Sequence, residues 1–216
     1  MKTALGIPYA GDPPKEACPS HHALAVEIGR MGEIVLIHPL DQIPHSKARN
    51  YIMEHALREE CDLLMFVDAD NIIPTGAFET LLETLEKTGA VMVSGYYLQR
   101  GFPFGPVWFK WFEDRQCAGQ VQPREGITSP QRIDICGLGC ALVRLGWVRE
   151  NIEKPWFRIM EREDGKMVWE DTYFCLKIRE RGGLVVGDPR VVSDHLFKRE
   201  VINAQTAERL RKDAFS

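Results

Sequence analysis

The run Leu63-Leu64-Met65-Phe66-Val67 is apolar at every position. A strand of this kind has no face to offer water, so it belongs inside a sheet that carries helices on both sides. The neighbouring segments agree. Short apolar strands over Thr3–Pro8, Ile34–His38, Leu63–Val67 and Ala90–Gly95 alternate with three amphipathic patterns. The first helix follows Pro19-Ser20 and repeats Leu24, Ile28 and Met31 on one face. The second runs from Ser46 through Ala48, Ile52 and Ala56. The third follows Pro74-Thr75, with Thr75 as its cap, and carries Phe78, Leu81, Leu82 and Leu85 up to Gly89. This βαβαβαβ order predicts an α/β domain, a mostly parallel sheet flanked by helices.

Asp68-Ala69-Asp70-Asn71 follows the apolar strand at its carboxyl end. Along a strand, positions i and i+2 share a side. The two carboxylates then stand roughly 6–7 Å apart and repel by about 2–3 kcal/mol at an effective dielectric of ~20. A cation or a substrate proton would relieve that cost, and the carboxyl ends of strands are where open α/β sheets bind ligands. Asp68 and Asp70 are therefore a candidate divalent-metal site, with oxygen ligands suited to Mg²⁺ or Mn²⁺. The plainer alternative is that one carboxylate caps the next turn and the other is solvated. An Asp-x-Asp after a hydrophobic strand also occurs in haloacid-dehalogenase phosphatases, but near the amino terminus and with Thr or Val two residues on, where Ile72 stands here.

Beyond Gly95 the pattern changes. Residues 101–132 are rich in aromatics and turn formers and predict irregular structure with a hairpin. Ile133–Cys136 and Ala141–Val143 are strand-like around Gly137-Leu138-Gly139. Glu170-Asp171 opens a helix after Trp169. Negative charge suits that place on its own, and the alternative is that a carboxylate there would serve as a general base. Leu184–Val186 and Val191–Ser193 are strand-like and precede Asp194-His195, where the histidine is either structural or a metal ligand. A polar helix is expected from Arg199 onward. Lys47 and Arg49 make the start of the second helix basic. They form either a solvated turn or a grip on a diphosphate. Gly137-Leu138-Gly139-Cys140-Ala141-Leu142 lacks the third glycine of a dinucleotide fingerprint.

A net charge of −4 in 216 residues excludes general nucleic-acid affinity. No stretch approaches the ~18 apolar residues of a membrane span, and the opening Met1–Pro8 has too short an apolar run for a signal peptide. Six scattered cysteines are expected to be free thiols, which fits a cytoplasmic protein. No linker or repeat divides the chain, so one domain is expected over 1–216.

Together these segments resemble the GT-A glycosyltransferases, most closely the small family 2-like proteins. The resemblance runs through Ile7-Pro8-Tyr9, Lys47-Ala48-Arg49-Asn50, Phe66-Val67-Asp68-Ala69-Asp70, Gly95-Tyr96-Tyr97 with Gln99-Arg100, Gly137–Arg144, Trp169–Cys175 and Asp194-His195. It implies a GT-A domain whose residues 1–95 bind a nucleotide sugar and whose residues 96–216 carry the acceptor side and catalysis. It implies a transferase of the hexosyltransferase kind that moves a sugar from a nucleoside diphosphate, UDP or GDP, to a hydroxyl acceptor. Asp70, with Asp68, would hold Mn²⁺ or Mg²⁺ and His195 would complete the metal site. Pro8 and Tyr9 would border the base, Lys47 or Arg49 would meet the diphosphate, and Gly137–Leu142 would back the acceptor. Asp171 would activate the acceptor, with Glu170 the other candidate. The acidic run usual after the second strand is replaced by His38-Pro39-Leu40-Asp41, and Gly11–Ser20 is unusually proline-rich. A phosphatase, or a sugar-nucleotide-binding relic of the same fold without turnover, are the alternatives.

Overall fold

The computed structural model describes residues 1–8, 14–39, 43–123, 126, 128–197 and 200–213. Its first half follows the strand–helix alternation: β1 (Lys2–Gly6), α1 (Cys18–Met31), β2 (Glu33–Ile37), α2 (His45–Arg58), β3 (Leu63–Val67), the two-residue β4 (Asn71–Ile72), α3 (Ala77–Thr88) and β5 (Met92–Tyr96). The second half is richer in short strands: β6 (Trp108–Phe112), β7 (Cys117–Gln120), β8 (Gln131–Ile133), β9 (Ile135–Cys136) and β10 (Cys140–Arg144). After these come α4 (Leu145–Asn151), β11 (Met160–Glu161), β12 (Met167–Val168), α5 (Glu170–Glu180), β13 (Val185–Val192), β14 (Asp194–Phe197), β15 (Glu200–Ile202) and α6 (Ala204–Asp213).

The central sheet has seven strands in the order β2-β1-β3-β10-β5-β13-β8. Five of them run one way; β10 and β8 run against their neighbours. The four strands expected in the first half, β1, β2, β3 and β5, all run the same way, and what differs is their adjacency. β3 and β5 are not adjacent, because β10 lies antiparallel between them, with Ala141 opposite Phe66 on one side and Ser94 on the other. β3 is buried at all five positions, as an all-apolar interior strand must be. α1 packs on β2 and against α3, α3 covers β5, β10 and β13, and α2 lies over β1 and β2. The approach of α2 is close enough to require a glycine: a Cβ on Gly6 would lie 2.3 Å from Ile52 Cγ2.

Several local expectations shift. α1 begins at Cys18, with Pro19 in its first turn. α3 is not capped by Thr75. Its first turn starts after Gly76, and the Glu27 carboxylate of α1 accepts the Gly76 and Glu79 N–H groups at 3.0 and 2.9 Å. The expected strand Ile133–Cys136 divides into β8, in the central sheet, and β9, which joins the β6–β7 hairpin. The two late strand-like segments are one strand, β13, with an irregularity between Asp188 and Val192. The carboxy-terminal helix begins at Ala204, after β15. Among the described residues no helix is long and apolar enough to cross a membrane, and all six cysteines are free.

Candidate functional site

The parallel strands β1, β3 and β5 deliver their carboxyl ends to one edge of the sheet. β3 stops at Val67, so Asp68, Ala69 and Asp70 lie in a turn closed by the Asn71 N–H on the Asp68 carbonyl (3.0 Å). The expected strand geometry therefore does not hold, and the two carboxylates diverge to different partners. Arg49, buried on the inner face of α2, donates to Asp68 Oδ1 at 2.7 Å and to Glu170 Oε1 at 2.6 Å. The repulsion argued for Asp68 is thus relieved by the protein's own guanidinium. Those two carboxylates hold Arg49 charged, well above the ordinary range, against the opposing effect of burial.

Asp70 faces two other groups. His195 Nε2 lies 3.3 Å from Asp70 Oδ1, and Arg100 is ion-paired to Oδ2. Burial pushes the Asp70 carboxyl up, but His195 and Arg100 outweigh it and hold it below its usual value. His195 arrives by strand pairing: β14 runs antiparallel to β4 with His195 opposite Asn71, and the Leu196 N–H binds the Asp70 carbonyl at 2.8 Å. Its Nδ1 sits 2.8 Å from the Leu98 carbonyl, and its ring stands edge-on to Tyr97 with centroids 5.4 Å apart. A proton on Nδ1 shared with that carbonyl leaves the Nε2 lone pair toward Asp70, the orientation that a metal-binding histidine needs. The donor set therefore fits a hard divalent cation taken by one carboxylate and one imidazole, with its other positions left for phosphate and water. Among the described residues, no group of three carboxylate, imidazole or thiolate side chains converges as a complete cage. Asp68 is the expected third ligand, and it is bonded to Arg49 instead.

Glu170 and Asp171 form the first turn of α5. Glu170 is buried on Arg49, whereas Asp171 is half-buried and accepts only local bonds, from Thr172 N at 2.6 Å and Thr172 Oγ1 at 3.3 Å. Burial, then the charges of Glu170 and Asp68, raise the Asp171 carboxyl above its usual value despite Arg49. Asn50, next to Arg49, clamps a second connection. Its Oδ1 accepts the Trp156 and Phe157 N–H groups at 3.1 and 3.2 Å, and its Nδ2 donates to the Phe157 carbonyl at 2.6 Å. Phe157 then meets Phe66 of β3 edge-on and packs at a tilt on Phe174 of α5.

The remaining expected residues are placed as follows. Pro8 is buried at the end of β1, and Lys47 is exposed on the first turn of α2. Tyr9 and Asp41 lie outside the described residues. Gly137 and Gly139 make room for a side chain: a Cβ on either would lie 2.3 or 2.8 Å from the Tyr97 hydroxyl, which accepts the Gly139 N–H at 2.8 Å. Asn50, Tyr97 and Arg100 stand within the motif segments of the sequence, but nothing in the sequence assigns them these partners.

A mixed sheet of this order, with an Asp-x-Asp turn at the end of β3 and an acidic helix start facing it through one arginine, defines a GT-A glycosyltransferase domain. The chain belongs to the family described as glycosyl transferase family 2, whose model matches residues 34–150, more than half of its length. Solved structures with this fold include A197 from STIV, 19% identical with a TM-score of 0.64, over 95% of this chain and 91% of that one. GalNAc-T7 with UDP, GalNAc and Mn²⁺ is 13% identical with a TM-score of 0.61, over 91% of this chain and 43% of that one. S. aureus TarS 1-349 in complex with UDP-GlcNAc is 13% identical with a TM-score of 0.54, over 93% and 59%. At these identities the likeness is one of fold. No curated protein matches the sequence significantly.

Proposed function

We propose that this glycosyltransferase moves a sugar from a nucleoside diphosphate to a hydroxyl acceptor, with the donor over residues 1–95 and the acceptor over 96–216. The observation that carries the reading is Arg49, which joins Asp68 and Glu170 at 2.7 and 2.6 Å and so draws the end of β3 and the start of α5 together. Asp70 and His195 would hold a divalent cation, Mn²⁺ or Mg²⁺; GalNAc-T7, which has the same fold, was solved with Mn²⁺ and UDP. A cation bound there supplies positive charge against the departing diphosphate. Pro8 and Tyr9 would border the base, and Lys47, exposed at the mouth of α2, would add charge at the phosphates. Asp68 would orient the turn through Arg49 rather than ligate.

Asp171 would take the proton of the acceptor hydroxyl as its oxygen bonds the anomeric carbon and the bond to the diphosphate oxygen breaks. Its raised carboxyl makes it a better proton acceptor than a solvated aspartate. Glu170, saturated by Arg49, is poorly suited to that role. The test is a panel of UDP- and GDP-sugars incubated with Mn²⁺, reading release of the nucleoside diphosphate. Metal-dependent release by the parent that falls roughly 10²-fold in Asp171→Asn supports the reading. Equal release by both proteins, or release that EDTA leaves unchanged, overturns it.

A further inference from the structure

Both oxygens of Asp70 are engaged. His195 Nε2 faces Oδ1 and the Arg100 guanidinium takes Oδ2. A cation held between Oδ1 and Nε2 would take up the charge of the carboxylate that Arg100 neutralises, and of the two present partners only Arg100 is free to leave. His195 is buried, fixed through Nδ1 to Leu98 and packed on Tyr97. The Arg100 side chain is 51% exposed and, among the described residues, bonds only to Asp70.

The backbone beneath Arg100 is held firmly. The Gln99 N–H binds the Gly105 carbonyl at 2.8 Å and the Phe104 N–H binds the Gly101 carbonyl at 2.7 Å. From α6, Arg211 donates to the Pro103 and Phe104 carbonyls, each at 2.7 Å. Leu98 and Phe104 are buried with Ile202 and Ala207 in a small core apart from the main one. The loop is thus anchored on the carboxy-terminal segment, with the Arg100 side chain exposed at its surface.

We propose that Arg100 is an exchangeable cation: it neutralises Asp70 while the cleft holds no donor, and passes to the donor's diphosphate when a divalent ion takes Asp70. This rests on the reading of the cleft as a metal and diphosphate site. An arginine suits the second position because its planar fork bonds phosphate oxygens in pairs. The exchange keeps a charge on Asp70 in both states, so the carboxylate is never left half-buried and uncompensated. It also links metal binding to donor capture, since the ion frees the group that grips the phosphates.

The experiment uses the full chain and two probes: Mn²⁺ alone, followed by the resonance of the free ion, and inorganic pyrophosphate at saturating Mn²⁺, followed by calorimetry. Pyrophosphate is the part common to every nucleoside diphosphate. Arg100→Gln should bind Mn²⁺ roughly three- to fivefold more tightly, the worth of a partly exposed ion pair. The same variant should bind pyrophosphate roughly tenfold more weakly or worse. Arg100→Lys, which keeps the charge and loses the fork, should fall between on both probes. Opposite movements from one substitution are the signature, because a residue that merely shapes the loop would weaken both. Mn²⁺ binding that is unchanged or weaker in Arg100→Gln, beside a parent that binds the ion, overturns the exchange and leaves the metal site standing. No Mn²⁺ binding by either protein overturns the metal site and the exchange together.

Discussion

Arg49 sets the terms at the scale of single residues. Buried between Asp68 and Glu170, it has no solvent to fall back on; Glu170 is buried with it, and Asp68 is partly so. Removing one member of a buried ionic group leaves charge uncompensated, at about 3–5 kcal/mol. Arg49→Met should therefore lower the unfolding free energy by that amount in urea titration. Arg49→Met combined with Glu170→Met should recover part of the loss, since the second substitution removes the stranded carboxylate. Asp171 leads to a different prediction. Its carboxyl lies above the usual range, and a base works only when ionised, so the acid limb of kcat/KM should fall at a pH above the ~3.9 of an ordinary aspartate. The sign for stability is the reverse of a salt-bridged aspartate. The folded state holds this proton more tightly than the unfolded one, so Asp171 favours folding below its raised pKa and opposes it above. In Asp171→Asn both dependences should vanish from the pH profiles. The crowding of Asp68 and Asp70 is legible in the sequence, because their charges are two positions apart. The guanidiniums that relieve it are not, since Arg49 and Arg100 stand nineteen and thirty residues from their partners. Nothing local distinguishes them from solvated arginines.

At the scale of elements, periodicity carries far. Leu24 and Ile28 of α1, Ala48, Ile52 and Ala56 of α2, and Phe78, Leu81 and Leu85 of α3 are all buried, on the faces their spacing marks out. Helix ends are less legible. Thr75 has the chemistry of a cap, yet the first turn of α3 is satisfied by Glu27, forty-nine residues earlier. Glu27→Ala should cost about 1 kcal/mol, the usual worth of a cap, as a lowered thermal midpoint, and Thr75→Ala should change it far less. The direction of β10 is hidden for a related reason. Cys140–Arg144 is a short apolar run that looks the same whichever way it is laid into a sheet. Only its pairing with Phe66 and Ser94 decides, and pairing belongs to the tertiary structure.

For the whole molecule, the seven-stranded sheet joins the two ends of the chain through its middle. The slowest amides to exchange with solvent should be those of β3, β10 and β5, which lie at the centre of the sheet, and the fastest sheet amides those of the edge strands β2 and β8. Deuterium uptake mapped by peptide would check the order. A fragment ending at residue 95 should not form a stable sheet, because two of its strands, β3 and β5, meet only through a strand it lacks. Ellipticity and thermal melting of that fragment would decide the point.

The place of β10 also sets a timetable. On the ribosome β3 is finished long before its neighbour exists: Val67 pairs with Cys140, and at ~5–20 residues per second the gap is roughly 4–15 s. For that interval the most apolar strand in the chain has an open flank while synthesis continues. A nascent chain in this condition is a natural client for a holding chaperone, and slowing translation between codons 68 and 140 should raise the fraction lost to aggregation.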